Sequence, residues 1–240
     1  MFLKSSPIQV LFIAGCLLSS STFAGNIKGK VDFKGTKPNP AEIKMTADPN
    51  CIKIHAGKKV TSDQVVVNGN NTLRNVFVYV KKGLEGKKFP VPTQKATINQ
   101  NGCTYTPHVF GMMAKQSLEI INSDPTMHNI HALPKMSKQF NIAQPKKGMK
   151  MVKTFEKPEI MVKIKCDVHN WMAAYVGVLD HPFYAVTDDQ GNFEIKNLPA
   201  GEYEIEAWHE KYGAQTMKVS VGAADTKTTD FSSDKFVTSK

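Results

Sequence analysis

Arginine is almost missing from this sequence. Among 31 basic residues, set against 21 acidic ones in a chain of 240, Arg74 is the only arginine. The formal net charge of +10 is therefore a lysine charge. Sequence-reading nucleic-acid proteins rely on guanidinium forks for bidentate contacts, so a nucleic-acid partner is not expected. The charge reads instead as a solvated lysine surface that can steer an acidic protein or meet an anionic membrane surface. Cysteine is scarce too. Cys16, Cys51, Cys103 and Cys166 are too few for a disulfide scaffold of this length, and no paired C-x2-C zinc clamp is present. After residue 25 no apolar run is long enough to span a bilayer, and no stretch sustains a helical stripe. What remains, 41% hydrophobic and 22% charged, is globular composition. At roughly 100–200 residues per domain it fits one large domain or two small ones.

Residues 1–24 have the form of an export signal. Lys4 supplies the positive start, Ile8 to Leu18 the short apolar stretch, and Thr22-Phe23-Ala24 a small-x-small cleavage site. Cleavage after Ala24 delivers Gly25 to the start of the first strand and leaves a net charge of about +9, Lys4 being lost from the +10. The alternative is that Ile13-Ala14-Gly15-Cys16 acts as a lipobox and Cys16 becomes a lipidated N-terminus. Either reading places the protein in the periplasm, where disulfides are allowed.

The dominant period in the rest of the chain is two. Ile27, Gly29, Val31 and Phe33 alternate with polar residues, and residues 76–80 (Val-Phe-Val-Tyr-Val) read as a buried central strand. Val162, Ile164 and Cys166 share a face, as do Tyr203, Ile205 and Ala207, and Met217, Val219 and Val221. Turn residues at 68–70, 189–191 and 198–201 separate these runs. The fold class is all-β, of sandwich type. The tail beyond Gly222 is polar, and 231–240 is expected to be mobile.

The chemistry concentrates in one stretch. Eight of the eleven methionines fall between Met112 and Met172. There, Cys166-Asp167-Val168-His169-Asn170-Trp171-Met172 is a C-x2-H-x2-M run at the end of an alternating strand, and Met127-His128-Asn129-Ile130-His131 lies upstream. A thiolate, two imidazoles and a weak thioether form the donor set of a blue-copper site. Thiolate binds copper strongly, imidazole suits both oxidation states, and the thioether tunes the potential. Zinc fits less well, because a thioether is a poor ligand for it and no second thiolate is near in sequence. A Cys–His nucleophile pair lacks an orienting acid in the pattern. On a strand, His128 and His131 face opposite ways, so one of them at most is a ligand.

With these motifs, residues 95–179 resemble the cupredoxins, and the amicyanin type in particular. The resemblance implies a Greek-key β-sandwich holding one type 1 copper on His128, Cys166, His169 and Met172. It implies that Asn129 bonds across to the cysteine loop, and that His169, with Trp171 beside it, lies at an exposed apolar edge as the electron port. Asn170 departs from the proline usual in such loops. The flanks, 25–94 and 180–230, resemble a carboxypeptidase regulatory-like (transthyretin-like) β-sandwich through Gly29-Lys30-Val31, Asp189-Gln190-Gly191 and Leu198-Pro199-Ala200-Gly201-Glu202-Tyr203. The cupredoxin unit is then inserted in or packed beside a split sandwich. The whole pattern is similar to exported plastocyanin-like, methylamine-utilisation-type proteins.

The expected function is single-electron transfer with a redox partner, an acidic one by the lysine charge, and no enzymatic chemistry. Periplasmic copper handling, or an envelope- or carbohydrate-binding module with a vestigial copper site, are the alternatives. Cys51 and Cys103, an exported pair, point to a disulfide, with two buried free thiols as the alternative. His108 and His181 read as structural, His209 as a surface residue with a ligand role as the alternative, and Met112, Met113 and Met127 as packing, with a soft-metal path to copper as the alternative.

Overall fold

The computed structural model describes residues 24–238. The signal segment, with Cys16, lies outside the described residues except for Ala24. The chain begins with β1 (Ala24–Asp32), then a long irregular stretch containing α1 (Pro49–His55), then β2 (Phe77–Lys82). Nine strands follow: β3 (Ala96–Gln100), β4 (Tyr105–Thr106), β5 (Val109–Met113), β6 (Leu118–Asn122), β7 (His128–Ala132), β8 (Phe140–Gln144), β9 (Lys150–Lys153), β10 (Glu159–Lys165) and β11 (Ala173–Leu179). The chain ends with β12 (Tyr184–Val186), β13 (Asn192–Pro199), β14 (Gly201–His209), β15 (Gly213–Val221), β16 (Thr226–Thr228) and β17 (Phe231–Ser232).

These strands make two sandwiches. The middle strands form sheets of order β5-β11-β10-β7-β8 and β4-β3-β6-β9, closed over a core that includes Ile98, Leu118, Ile120, Ile130, Phe155, Val162 and Ile164. The outer strands form sheets of order β13-β1-β16, with β17 also on β1, and β12-β2-β14-β15. Ile27, Val31, Val78, Val80, Ile195 and Ile205 lie in their core. Period-two alternation explains most of these strands, one row of side chains facing inward and the other solvent, whereas β2, β5 and β11 are buried on both faces where the sandwiches meet.

A smaller cluster, Phe77, Tyr79, Val109 and Leu179, joins the two sandwiches. Glycine permits the closeness here. A Cβ on Gly177 would stand 2.3 Å from the Phe77 ring, and one on Gly111 2.3 Å from Tyr184. Tyr184 closes the contact by donating its hydroxyl to the Gly111 carbonyl at 2.8 Å.

Three expectations need correction. The tail is docked: β16 and β17 both run parallel to β1, Phe231 is buried, and Val237 bridges to Ala214. Its polarity is that of short edge strands held by pairing and one apolar anchor. A helix exists, α1, because Asp48 caps its N-terminus through Asn50 N at 2.7 Å and Pro49 occupies the first turn. It is too short to show a stripe. His209 is buried, with its Nδ1 accepting from the amides of Lys211 and Tyr212.

Two outcomes follow from this packing. Gly177→Ala is expected to cost about 1–3 kcal/mol by overpacking against Phe77, whereas Gly69→Ala, with open space around it, should stay within about 0.5 kcal/mol; urea unfolding of both variants measures the difference. Burial holds the pKa of His209 down to about 4 from its usual 6.5. The unfolded chain then binds the extra proton first. Stability from this group is complete above about pH 6.5 and is lost as pH falls toward 4, by about 2–4 kcal/mol. Unfolding titrations between pH 7 and 4 should show that slope, and His209→Gln should flatten it.

Candidate metal centre

Sheet register brings the two sequence motifs together. In the β10–β7 pair Lys165 lies opposite His131, and Ile164 opposite Ala132. Continuing that antiparallel register past the end of β10 brings residues 166–169 level with His128, the first residue of β7. The loop then tightens on itself, with Met172 N donating to His169 O at 2.9 Å and Cys166 N donating to Met172 O at 3.2 Å. His128, Cys166, His169 and Met172 are all buried.

Ring nitrogens and sulfur converge. His128 Nδ1 lies 2.9 Å from His169 Nδ1, and Cys166 Sγ lies 3.9 Å from His169 Nδ1. The outer nitrogens face carboxylates. His128 Nε2 is 2.9 Å from Asp124 Oδ2, and His169 Nε2 is 3.1 Å from Asp48 Oδ2. An ionised carboxylate can only accept, so each Nε2 carries the hydrogen and each Nδ1 lone pair points inward. Two such lone pairs 2.9 Å apart repel unless a proton or a metal ion lies between them. With bond lengths like those of zinc, about 2.0 Å to nitrogen and about 2.3 Å to sulfur, one ion can reach both nitrogens and the sulfur. The donor set therefore fits one soft or borderline metal ion.

Asn129 braces the loop. Its side-chain oxygen accepts from Asp167 N at 2.7 Å and Val168 N at 3.3 Å, and lies 3.1 Å from Cys166 Sγ. Its Nδ2 donates to Asn141 Oδ1 and Asp167 Oδ2. Tyr105 donates its hydroxyl to the Asn129 carbonyl at 2.6 Å. His131 points away from the centre, toward Asp167 at 3.0 Å.

The electrostatics favour a thiolate. Burial raises the Cys166 pKa, but His128 and the amides of Asn129, His169 and Val168 outweigh it and bring it below the usual thiol value. Burial also opposes a charged His128, yet Asp124 and Cys166 lift it to about 9. Burial holds His169 below its usual value, against Asp48. Asp124 stays ionised despite burial, through His128 and the amides of Cys103 and Gly102.

The surroundings depart from the expected exposed edge. His169 is 1% exposed, covered by Asp48 and by Cys51, whose sulfur lies 3.8 Å from His169 Nε2. That sulfur is paired: Cys51 and Cys103 form a disulfide with Cα atoms 5.7 Å apart. Trp171 is half-buried and donates its indole N–H to the Cys103 carbonyl at 3.0 Å. The electron-port expectation for His169 is overturned by this cover. Asp48 and Asp124 were not singled out from sequence. Asp48-Pro49 carried a helix-start signal, and Asp124 lay in the polar turn before His128.

The family model for the carboxypeptidase regulatory-like domain matches residues 173–233, beginning in β11, which in the structure belongs to the other sandwich. No curated protein matches the chain. Solved structures similar to it include a purple cupredoxin from Nitrosopumilus maritimus, with 22% identity over 35% of this chain and 98% of that one and a TM-score of 0.30. A reduced tryptophan-to-tyrosine mutant of amicyanin has 19% identity over 37% and 85%, with a TM-score of 0.32. A copper-containing nitrite reductase from Thermus scotoductus has 20% identity over 40% of this chain and 25% of its own, with a TM-score of 0.32.

Asn129→Ala is expected to leave two loop amides without partners, costing about 1–3 kcal/mol. It should also weaken metal retention about 10–100-fold. Competition with a chelator, beside thermal unfolding of the metal-free chain, measures both.

Proposed function

We propose that this protein is an exported carrier of single electrons that holds one type 1 copper on His128, Cys166 and His169, with Met172 as the weak axial partner. The observation that carries this reading is the pair of inward Nδ1 atoms 2.9 Å apart beside a thiolate-prone Cys166, all buried. Copper in such a site supplies a Cu(II)/Cu(I) couple. The chain's own residues do the rest. Asn129 and the loop hydrogen bonds hold Cys166 and His169 at fixed positions, so little rearranges when charge changes. The middle sandwich and the segment over His169 keep water from the ligands, all four of which are buried.

With His169 covered, the way out lies elsewhere. Met127 and Val168, each next to a ring ligand in the chain, are 46% and 45% exposed. They offer exposed apolar side chains adjacent to the ligands for a partner to meet. The lysine excess steers an acidic redox partner by an attraction that weakens with salt. The Cys51–Cys103 disulfide supports an oxidising compartment, in keeping with the export signal and a periplasmic site. Among the described residues no helix is long and apolar enough to cross a membrane. The enclosure of the four ligands supports the carrier reading, since a substrate has no open position at the metal to reach. The enclosure also disfavours rapid copper handover, the copper-handling alternative.

Metal analysis and a visible spectrum of the purified mature protein provide the test. One copper per chain with an intense thiolate-to-copper band and reversible voltammetry is expected. Cys166→Ser should lose the band. A colourless, copper-free wild type purified from its native compartment would overturn the proposal.

A further inference from the structure

The cover over His169 is a distinct piece of the fold. The stretch 42–61 folds back as a cap: Glu42 bridges to Thr61, Ile43 N donates to Val60 O at 2.8 Å, and α1 lies between. The cap has its own small cluster, Met45, Cys51 and Cys103 with Ile43, Val60 and Trp171 against it, apart from both large cores. Three tethers bind it to the copper-site sandwich. They are the Cys51–Cys103 disulfide, the Thr126 hydroxyl donating to Asp48 Oδ2 at 2.6 Å, and His55 Nε2 donating to Gly102 O at 2.8 Å.

Asp48 sits where this cap meets the ligand. Its Oδ1 accepts from Asn50 N and thereby caps α1, while its Oδ2 accepts from Thr126 and faces His169 Nε2 at 3.1 Å. Both oxygens are thus fixed by groups other than the histidine, so the carboxylate can orient the ring and not merely follow it. We propose that Asp48, presented by the cap and locked in place by the Cys51–Cys103 disulfide, is a positioning residue of the metal centre that fixes the ring of His169 and favours the more highly charged oxidation state. This rests on the copper reading above.

The physical reasons are two. A carboxylate on Nε2–H keeps the Nδ1 lone pair available to metal and raises the ligand's basicity. A fixed negative charge near the centre stabilises the dication more than the monocation, and does so with no bond made or broken as one electron enters. Asp124 plays the matching part for His128, but it arises in the turn directly before β7 and needs no cap. Asp48 comes from 121 residues away, so its place depends on the cap's tethers, of which the disulfide is the covalent one. Removing the disulfide then acts on the copper through Asp48.

The experiment compares wild type, Asp48→Asn, the Cys51→Ser/Cys103→Ser double variant and the triple combination. Asp48→Asn keeps the acceptor and removes the charge. It should retain the visible band while the ratio of Cu(II) to Cu(I) affinity falls about tenfold, a rise in potential of about 59 mV. The disulfide variant should shift the potential in the same direction, and adding Asp48→Asn to it should add little, since the charge is already withdrawn. An unchanged potential in Asp48→Asn with copper bound, or full additivity in the triple variant, overturns the proposal. The tautomer gives a copper-independent reading. In the metal-free protein, 15N NMR should show His169 protonated on Nε2, and Asp48→Ala should mix the tautomers; a tautomer indifferent to Asp48→Ala overturns the positioning role. A wild type that binds no copper overturns the function proposed above, and the NMR result alone then decides the role of Asp48.

Discussion

The centre depends on one constraint: two imidazoles are held with their Nδ1 lone pairs facing each other at 2.9 Å. Neither ring would choose that arrangement. Each is held by a carboxylate behind it, Asp124 for His128 and Asp48 for His169, and each carboxylate is pinned by further donors. The repulsion that remains would be relieved by a proton or a shared metal ion between the two nitrogens. Much of the surrounding architecture can be understood as what supplies these four groups at once.

The supply comes from four separate places in the chain. β7 offers His128 at its first residue. The loop after β10 offers Cys166 and His169 in one tight turn, braced by Asn129 from β7. The polar turn before β7 offers Asp124, whose other bonds reach the amides of Gly102 and Cys103. The cap offers Asp48. Cys103 therefore links three of these: its amide holds Asp124, its carbonyl accepts from Trp171, and its sulfur holds the cap. A residue whose sequence role was only half of a pair turns out to tie the ligand loop to the segment that covers it.

What was legible in the sequence was local. Val162, Ile164 and Cys166 fall on one face by alternation, and C-x2-H-x2-M needs only a short loop. His128 needed one long-range step, and the resemblance to the amicyanin type, not spacing or donor chemistry, chose it over His131. Asp48 was not legible, because it acts across 121 residues and from a helix of two turns that shows no apolar stripe. The Asp48-Pro49 pair did carry the chemistry of a helix start, and the absence of a stripe hid it. The tail was misread for a related reason: composition counts polar residues, whereas β16 and β17 are held by backbone pairing to β1 and by the single buried ring of Phe231. His209 was misjudged because alternation on β14 continues to the strand's last residue, which places it inward with Tyr203, Ile205 and Ala207.

The cover over His169 is also what favours the proposed electron carrier over a copper courier with the same ligands. A copper carrier must open a path for the ion, and the loop ligand is the natural one to release. Here that ligand is 1% exposed, with a disulfide on its outer nitrogen side. Releasing an ion from this ligand would require moving the cap, and the cap is covalently fastened by the Cys51–Cys103 disulfide. An electron needs no such opening. It requires only a short path to a partner's surface and a centre that stays still when its charge changes. In the proposed reading the exposed Met127 and Val168, beside His128 and His169 in the chain, offer the first, and the carboxylate-held rings offer the second. Enclosure that would defeat a metal courier is thus an advantage to an electron carrier, because every polar contact that fixes the ligands reduces what must reorganise as the charge changes.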